Sequence, residues 1–451
     1  MSKSISRRDF LRLVGGTAAV AVGSSLLPAR SRRWLLPVDV AKAAPADAFD
    51  LHFAGTDGWM WLPPTPAIPP FHPDDLAPAP FNSYIFGFHN VTGLNDPKTA
   101  AQKMKAQHIA PLFWANQYQP GLAYPDSNEL RVKLTNLGLA MRPDLVDAHT
   151  LHWHGVRDAI PFFDGEPHGG FSIPINRDFI YVYRIREPGT YMYHCHVEDV
   201  EHVHMGMTGL VFVRPAQDGN TTLYPSGKYA YNDGNGSTGF DREFALLLTE
   251  FWANSHWADS HIQLPEWSDY RPDYSMINGR VYPDTLLPNS PIDMAGSTHA
   301  LAIQTDNGSG DMLATPGLER LQYQPYSSLV QCNAGERVLL RIAQLGFMQA
   351  SLTLSGIKMK VVGKDATLLR GRDGSDSSYL TETLSMGAGE SYDAIFTAPP
   401  YVGPGLYDTY LLYNRAYNRH SNLSDGGYGG QMTEVRVYPA GTLSAQTLPN
   451  T

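Results

Sequence analysis

The sequence predicts an all-β protein built from two sandwich or barrel domains. Its 451 residues include 41 Gly, 34 Pro and 24 Tyr, a composition that favours turns and strands over long helices. Short segments of alternating apolar and polar residues occur in two series, as in β-sandwiches and barrels. Residues 216–240 are rich in Gly, Asn, Ser and Asp, so we predict that they link the two series. We expect a first domain with an N-terminal extension over 44–215, a second domain over 241–440, and a tail over 441–451.

The segments predicted as strands follow in chain order. In the first domain, 130–137 and 179–185 alternate as half-buried strands should, and Pro188-Gly189 turns the chain into the segment that carries Cys195. The further strands predicted in this domain are 81–88, 109–116, 148–155 and 210–213. The strands predicted in the second domain are 244–249, 274–282 with its Asn278-Gly279 turn, 328–343, 350–362, 391–398 and 406–413.

The first 43 residues are predicted to be an export signal. Residues 6–12 (SRRDFLR) place a twin arginine before the apolar run 13–27, as is typical of the twin-arginine route. The run is short for a membrane span. Small residues at 41–43 offer a cleavage site, and an uncleaved anchor is the alternative. We therefore expect a periplasmic or extracellular protein that is exported already folded.

Charge and cysteine content limit the kinds of partner and bond. The formal charge is -10, and residues 1–43 carry eight Lys/Arg against two Asp/Glu, so the chain without them has a charge of about -16. A chain this acidic is a poor nucleic-acid binder. The two cysteines, Cys195 and Cys332, make no disulfide framework.

Residues 191–207 (YMYHCHVEDVEHVHMGM) concentrate the soft metal ligands of the chain. They contain Cys195, four histidines and three methionines. Thiolate, imidazole and thioether together suit copper better than zinc. A second histidine cluster lies upstream in HTLHWHG, residues 149–155.

Strand parity connects the two clusters. Neighbouring residues of a strand face opposite sides, and residues two apart share a side. His194 and His196 therefore lie opposite Cys195, and His149 lies opposite the other two upstream histidines. If the strands pair, Cys195 and His149 meet on one side of the sheet and the remaining four histidines meet on the other: His152, His154, His194 and His196.

The sequence resembles the multicopper oxidase family. HTLHWHG, then FFDGEPHGGFSIPI, then GTYMYHCH are similar to the copper-binding cupredoxin domain of that family, over most of residues 110–215. In the second half, SMINGRVYP, CNAGERVLLRI and GAGESYDAIF resemble its copper-free cupredoxin domain. The resemblance implies two cupredoxin-like Greek-key domains.

The resemblance also implies a type 1 copper site. Its ligands would be His149, Cys195, His202 and, as the axial ligand, Met207. The family usually places the second histidine five residues after the cysteine, where this chain has Val200. We favour His202 because Met207 follows it by the usual five residues, and His204 is the alternative. The longer segment after the cysteine is similar to two-domain oxidases with type 1 copper in the first domain and to copper nitrite reductases.

A second implied site is the type 2/type 3 trinuclear cluster, which reduces dioxygen to water. Four histidines match its ligands: His152, His154, His194 and His196. Four carboxylates lie near these ligands in sequence, and one of them could relay protons: Asp147, Asp158, Glu198 and Asp199. A complete cluster takes four H-x-H pairs, and these four histidines supply two of them. His256 and His261 of the second half do not form a further pair.

The missing pairs leave three alternatives for the oxygen site. It is incomplete, or a single type 2 copper as in nitrite reductases, or completed by isolated histidines: His72, His89, His108 or His168. The resemblance implies a copper enzyme that oxidises a phenolic, metal-ion or redox-protein donor by one electron and reduces dioxygen. A nitrite-reducing enzyme and a non-enzymatic blue-copper electron carrier are the other hypotheses. Relatives suggest a homotrimer.

Overall fold

The computed structural model describes residues 47–64, 72–94, 96–290, 313–422 and 428–451. In this part of the chain twenty β-strands and two α-helices form, which confirms the all-β prediction. The strands are β1 Leu51–Met60, β2 Ser83–Asn90, β3 Phe113–Asn116, β4 Leu130–Asn136, β5 His152–Trp153, β6 Asp178–Tyr183, β7 Gly189–His194, β8 Thr208–Arg214, β9 Arg242–Phe251, β10 Tyr274–Ile277, β11 Val330–Asn333, β12 Arg337–Gln344, β13 Ala350–Leu354, β14 Met359–Lys364, β15 Thr367–Leu368, β16 Tyr379–Thr381, β17 Thr383–Met386, β18 Ser391–Thr397, β19 Asp408–Asn414 and β20 Met432–Tyr438. The helices are α1 Asp199–Met205 and α2 Ala253–Ser260.

The first eight strands form a sandwich of two four-stranded sheets. One sheet has the order β2-β1-β4-β6 and the other β3-β8-β7-β5. Alternate side chains of both sheets point inward and share one apolar core, which includes Phe53, Phe113, Trp153 and Tyr193. Cys195 lies in the same core, directly after β7.

The remaining strands form a second sandwich with a core of its own. Its larger sheet runs β10-β9-β12-β18-β14-β15, with β16 also paired to β14, and its smaller sheet runs β11-β20-β19-β13-β17. Leu340, Leu352 and Phe396 are among the fully enclosed residues between the two sheets. A further apolar cluster joins the sandwiches, because Leu210 and Phe212 of β8 pack with residues of β9 and β12.

Several strand predictions need correction in detail. The predicted strand 148–155 is only the two-residue β5, and His149 instead forms an isolated bridge with Ile173. The predicted hairpin over 274–282 is a tight turn at Asn278-Gly279 after β10, and β10 pairs with β9. The prediction missed β1, the short strands β15, β16 and β17, the last strand β20, and both helices. All ten residues of β1 are buried, so this strand lacks the alternation by which a half-buried strand is recognised.

Residues 216–240, which connect the two sandwiches, pack against the folded protein and do not form an extended, exposed linker. Tyr229, Tyr231 and Phe240 are buried, and the latter two share a cluster with Leu339 and Val362. Residues 120–127 stand apart from the rest of the described chain as part of a separate unit, and in them the Ser127 N–H donates to the Ala123 carbonyl. The predicted signal over residues 1–43 lies outside the described residues. In the described part, neither helix has the length and apolarity to cross a bilayer.

Candidate metal centre

The pairing of β5 with β7 brings the two histidine clusters together. These strands are antiparallel, and His152 lies directly opposite His194. Because successive residues of a strand face opposite sides, Cys195 points into the core of the first sandwich while His194 points away from it. The structure thus separates the ligands into two groups on either side of the 194–196 backbone.

The first group consists of Cys195, His149 and His202, and all three residues are buried. The Cys195 Sγ lies 3.2 Å from Nδ1 of His202 and 4.0 Å from Nδ1 of His149. The Thr150 backbone N–H points at the same sulfur from 3.5 Å. One sulfur and two imidazole nitrogens therefore converge in a buried pocket.

His202 reaches this pocket from α1, which forms within the longer segment after Cys195. Glu198 precedes the helix with a left-handed backbone (φ 45°, ψ 53°), and Gly206 ends it. The chain then returns to the sheet, where the Met207 N–H donates to the His202 carbonyl (2.9 Å) and the Met207 carbonyl accepts from the Cys195 N–H (3.1 Å). The Met207 side chain is buried in the same apolar cluster as Cys195.

The electrostatics of this group favour a thiolate beside positive charge. Burial by itself raises the pKa of the Cys195 thiol, but the rings of His202 and His149 outweigh burial and hold that pKa well below its ordinary value. Burial lowers the pKa of His202, but the Cys195 sulfur and Asp147 raise it to about 10. Oδ2 of Asp147 lies 3.6 Å from Nε2 of His202. The pocket is therefore built to hold a cation against the sulfur.

The second group contains His152, His154 and His194, with one ring nitrogen of each within 4.8 Å of the others. Nε2 of His154 and Nε2 of His194 are 2.8 Å apart. The His196 ring lies against the group, since its centroid is 4.9 Å from that of His152 and 5.6 Å from that of His194. His196 is not within the 4.8 Å set.

Backbone carbonyls orient the three convergent rings. Nδ1 of His152 donates to the Asp164 carbonyl (2.8 Å), and Nδ1 of His194 donates to the Cys195 carbonyl (2.8 Å). The His154 ring makes a backbone hydrogen bond at Gly389 of the second sandwich. A ring that donates through one nitrogen has a lone pair on the other, so these contacts leave three nitrogens free to bind a metal.

Two openings reach these histidines. A cleft of about 520 Å³ is lined by His152, His154, Arg157 and Asp365. A smaller cavity of about 260 Å³ is lined by His194, His196, Asp199 and Phe347. Of the four carboxylates considered as proton relays, Asp199 is the one that lines a cavity with these histidines. Asp158 instead faces Arg186, 3.7 Å away.

The histidines considered as further ligands lie elsewhere. His168 is 95 % exposed beside Glu166, while His72, His89 and His108 are buried outside the ligand groups. His204, the alternative type 1 ligand, accepts a hydrogen bond from the Trp252 backbone N–H at 3.0 Å. His256 packs against it, with ring centroids 5.1 Å apart. Val200, at the family's usual ligand position, is exposed.

The donor atoms present fit copper. A buried thiolate with two imidazole Nδ1 atoms and a neighbouring thioether residue is the set of a blue-copper site. The three oriented imidazoles of the second group suit copper as well, since neutral imidazole is a ligand for it. The described residues supply three close nitrogens at that place, which is the number for one metal ion rather than a cluster of three.

Sequence reasoning missed the residues that support these ligands. Thr150 donates its backbone N–H to the Cys195 sulfur, and its hydroxyl accepts from the His196 N–H at 2.8 Å. One sequence signal could have indicated the turn at Asp164, whose carbonyl orients His152, and that signal is Gly165. It has φ +75°, and a Cβ there would lie 2.2 Å from the Leu151 carbonyl oxygen.

Comparisons with known proteins show a similarity to copper oxidases. Residues 119–218 match the family model of the multicopper oxidases. Laccase-12 of Arabidopsis thaliana is 24% identical over 280 residues, which are 60% of this chain and 38% of that protein. The match thus spans well under half of the laccase.

Solved structures show the same fold. A blue copper oxidase from Nitrosomonas europaea has a TM-score of 0.52 at 18% identity, covering 86% of this chain and 85% of that one. The multicopper oxidase mgLAC also has a TM-score of 0.52, at 17% identity, and 88% of each chain is covered. The similarity extends over both sandwiches, and it identifies the cupredoxin-like architecture.

Proposed function

We propose that the chain is a copper-dependent oxidoreductase, a proposal supported by the match of residues 119–218 to the family model of the multicopper oxidases. It oxidises a donor by one electron at a time and passes the electrons to dioxygen. The single observation that supports the proposal most is the division of the ligands. A thiolate–imidazole group and an imidazole group lie on opposite sides of the same three residues, 194–196.

The residues that would hold the type 1 copper are His149, Cys195, His202 and Met207. His152, His154 and His194 hold the second site, and His196 lies at its edge. Copper, when bound, supplies one-electron redox chemistry at both places. The chain contributes a covalent connection between them, because Cys195 is joined through its own backbone to His194. The hydrogen bond from His194 Nδ1 to the Cys195 carbonyl shortens that connection.

The chain also controls access and protons. The pocket around the thiolate is closed to solvent, because none of its three ligand residues has exposed surface: Cys195, His149 and His202. The histidine group is reached through the two cavities, and Asp199 lines the smaller one. A carboxylate at that place is suited to deliver protons to an oxygen acceptor.

Copper analysis with oxygen uptake tests this proposal. We expect an intense visible absorption and a type 1 spin-resonance signal, a second copper signal, and oxygen consumption with a phenolic or metal-ion donor. About one copper per chain with no oxygen uptake on any donor would contradict the proposal and favour an electron carrier. His152→Ala should abolish the second signal and oxygen uptake while the visible absorption remains.

A nitrite-reducing enzyme is the second candidate. The observation that favours it is the set of three imidazoles, which provides for one type 2 copper, whereas His168 and the other isolated histidines lie outside the set. Nitric oxide formation from nitrite with a reduced donor would support this candidate. Its absence in protein that carries both coppers would exclude it.

We also propose that the protein is exported by the twin-arginine route to the periplasm or beyond. The twin arginine at Arg7-Arg8 and the apolar run that follows it support this proposal. Replacing both arginines with lysine should leave the protein inside the cell, and cell fractionation measures this. Normal export of that variant would overturn the proposal. The homotrimer suggested by relatives stays a prediction that mass measurement in solution can test.

A further inference from the structure

The helix that carries His202, α1, has few stabilising interactions within itself. α1 is seven residues long, and its first residue is preceded by Glu198 without a side-chain cap. A helix this short is marginal unless other parts of the protein hold it. Cys195 and His149, by contrast, lie beside the sheet. The position of His202 relative to the sulfur therefore depends on what α1 packs against.

One contact of α1 is a hydrogen bond to the beginning of α2. The Trp252 backbone N–H, directly before α2, donates to Nε2 of His204 at 3.0 Å. This backbone group is at the helix terminus, where N–H groups have no partner within the helix. The His204 ring is packed among aromatic rings of the second half, including those of His256, Trp267 and Tyr270.

α1 also packs on β2, where the Phe86 ring meets the His202 ring edge-on with centroids 5.9 Å apart. A second contact with α2 lies one residue before His202. The carboxyls of Glu201 and of Asp259, near the end of α2, are both buried and interact with each other. Burial and then the charge of Glu201 raise the pKa of Asp259 to about 9, so Asp259 can carry the proton that it donates to Glu201. Asp259 also binds the guanidinium of Arg142, whose side chain is 2% exposed. Arg142 begins the segment that leads to Asp147 and His149 and is held by Asp144 as well. A buried ionic group thus joins α2 to the segments of both histidine ligands.

We propose that α2, an element of the copper-free half, positions the copper ligand His202 through two anchors, the His204–Trp252 hydrogen bond and the buried Arg142–Asp259–Glu201 group. The two anchors flank His202 in sequence, on residues 201 and 204. Together they fix how α1 sits on the protein, and hence the approach of the His202 ring to Cys195. Asp259 and His204 are positioning residues, since they act through α1. The inference rests on the proposed type 1 site.

Two substitutions test the anchors separately. Asp259→Ala removes the partner of Glu201 and Arg142, and His204→Phe keeps an aromatic ring but removes the acceptor for Trp252. Supporting contacts behind a metal ligand typically change metal affinity by about 10–100-fold. We expect weaker copper binding of that order in each variant, with a changed visible spectrum and copper hyperfine splitting in the reloaded protein.

Two further variants separate positioning from general loss of stability. Asp259→Asn has the same shape, can donate to Glu201 and can accept from Arg142, so it should restore the wild-type spectrum. Glu243→Ala removes another buried carboxylate, the partner of Arg214 and Arg341, and contacts neither α1 nor α2 through those bonds. It should lower stability and leave the type 1 signal unchanged.

Wild-type spectra and reduction potential in reloaded Asp259→Ala and His204→Phe would overturn the inference, even if both variants melt earlier. Should Asp259→Ala fail to fold, His204→Phe decides by the same criterion. Failure of the proposed function itself has a different signature, which is the lack of a type 1 signal in copper-loaded wild-type protein.

Discussion

The two cysteines of the chain show how the environment determines what a thiol does. Both are buried, but Cys195 faces two imidazoles whereas Cys332 donates weakly to the Arg436 carbonyl at 3.8 Å. Burial, and after it the Glu336 carboxylate, raise the pKa of Cys332 to about 12, because the nearby Arg242 offsets only part of the cost of a buried thiolate. Only Cys195 is therefore prepared to bind a metal as the thiolate.

This difference predicts the outcome of two matched substitutions. Cys195→Ser should abolish the visible absorption and the type 1 signal, since an alcohol does not replace the thiolate as a ligand. Cys332→Ser removes the other buried thiol and should leave both unchanged. Visible and spin-resonance spectra of the copper-loaded proteins check this. A type 1 signal that survives in Cys195→Ser would contradict the assignment.

At the residue scale, spacing predicted the candidate ligands better than it predicted their supports. The step from His202 to Met207 selected His202 over Val200, and the structure places His202 beside Cys195 while Val200 is exposed. His204 was a reasonable alternative by sequence, but its acceptor nitrogen is engaged by Trp252. That bond depends on the packing of the second half, which no local pattern contains.

At the scale of elements, alternation of apolar and polar residues predicted strands reliably. β1 is buried on both faces, so it lacks this alternation and was not predicted. β4 and β6 were predicted within one or two residues of their bounds because one face of each is less buried than the other. α1 was missed because seven residues contain only two turns, too few for a periodic pattern. Residues 216–240 were interpreted as a linker from composition, although Gly and Asn also serve compact, hydrogen-bonded turns.

Asp233 is the residue that organises this compact segment. Its carboxylate accepts hydrogen bonds from Thr238, from Gln217 Nε2 (2.9 Å) and from the Gly236 N–H (2.7 Å). Burial by itself would raise the pKa of Asp233, but these hydrogen bonds outweigh burial and lower it to about 2. The folded state therefore prefers the ionised carboxylate.

We predict that Asp233→Asn lowers the free energy of unfolding by about 1–3 kcal/mol near neutral pH. Because the folded pKa lies below the ordinary value of about 3.9, the contribution is present above that pH and is lost as pH falls toward 2. The difference between wild type and variant should thus shrink between about pH 4 and pH 2 in urea titrations. Asp373→Asn, in an exposed turn, should change the free energy of unfolding much less than Asp233→Asn does. An undiminished difference at low pH would contradict the role of ionisation.

At the scale of the whole molecule, the two sandwiches share both apolar and polar contacts. Leu210 and Phe212 of the first pack with the second, and a buried carboxylate, Asp393, bridges the two. Asp393 accepts from the Thr190 hydroxyl at 2.6 Å and from its N–H at 3.2 Å, in the strand that ends at His194. It also accepts from the Tyr231 hydroxyl (2.6 Å) and faces Arg341. Neither half is expected to unfold without exposing the joint surface.

We therefore predict a single calorimetric transition for both sandwiches, and a shift of the whole transition to lower temperature in Asp393→Ala. Removing one member of a buried charged group typically costs about 3–5 kcal/mol, because Arg341 and the donors of Thr190 and Tyr231 lose a partner. Asp376→Asn is the matched surface control, since its pair with Lys360 is largely exposed and worth at most about 1 kcal/mol. Two separate transitions, with only one moved by Asp393→Ala, would show that the sandwiches unfold independently and that their shared contacts do not couple them.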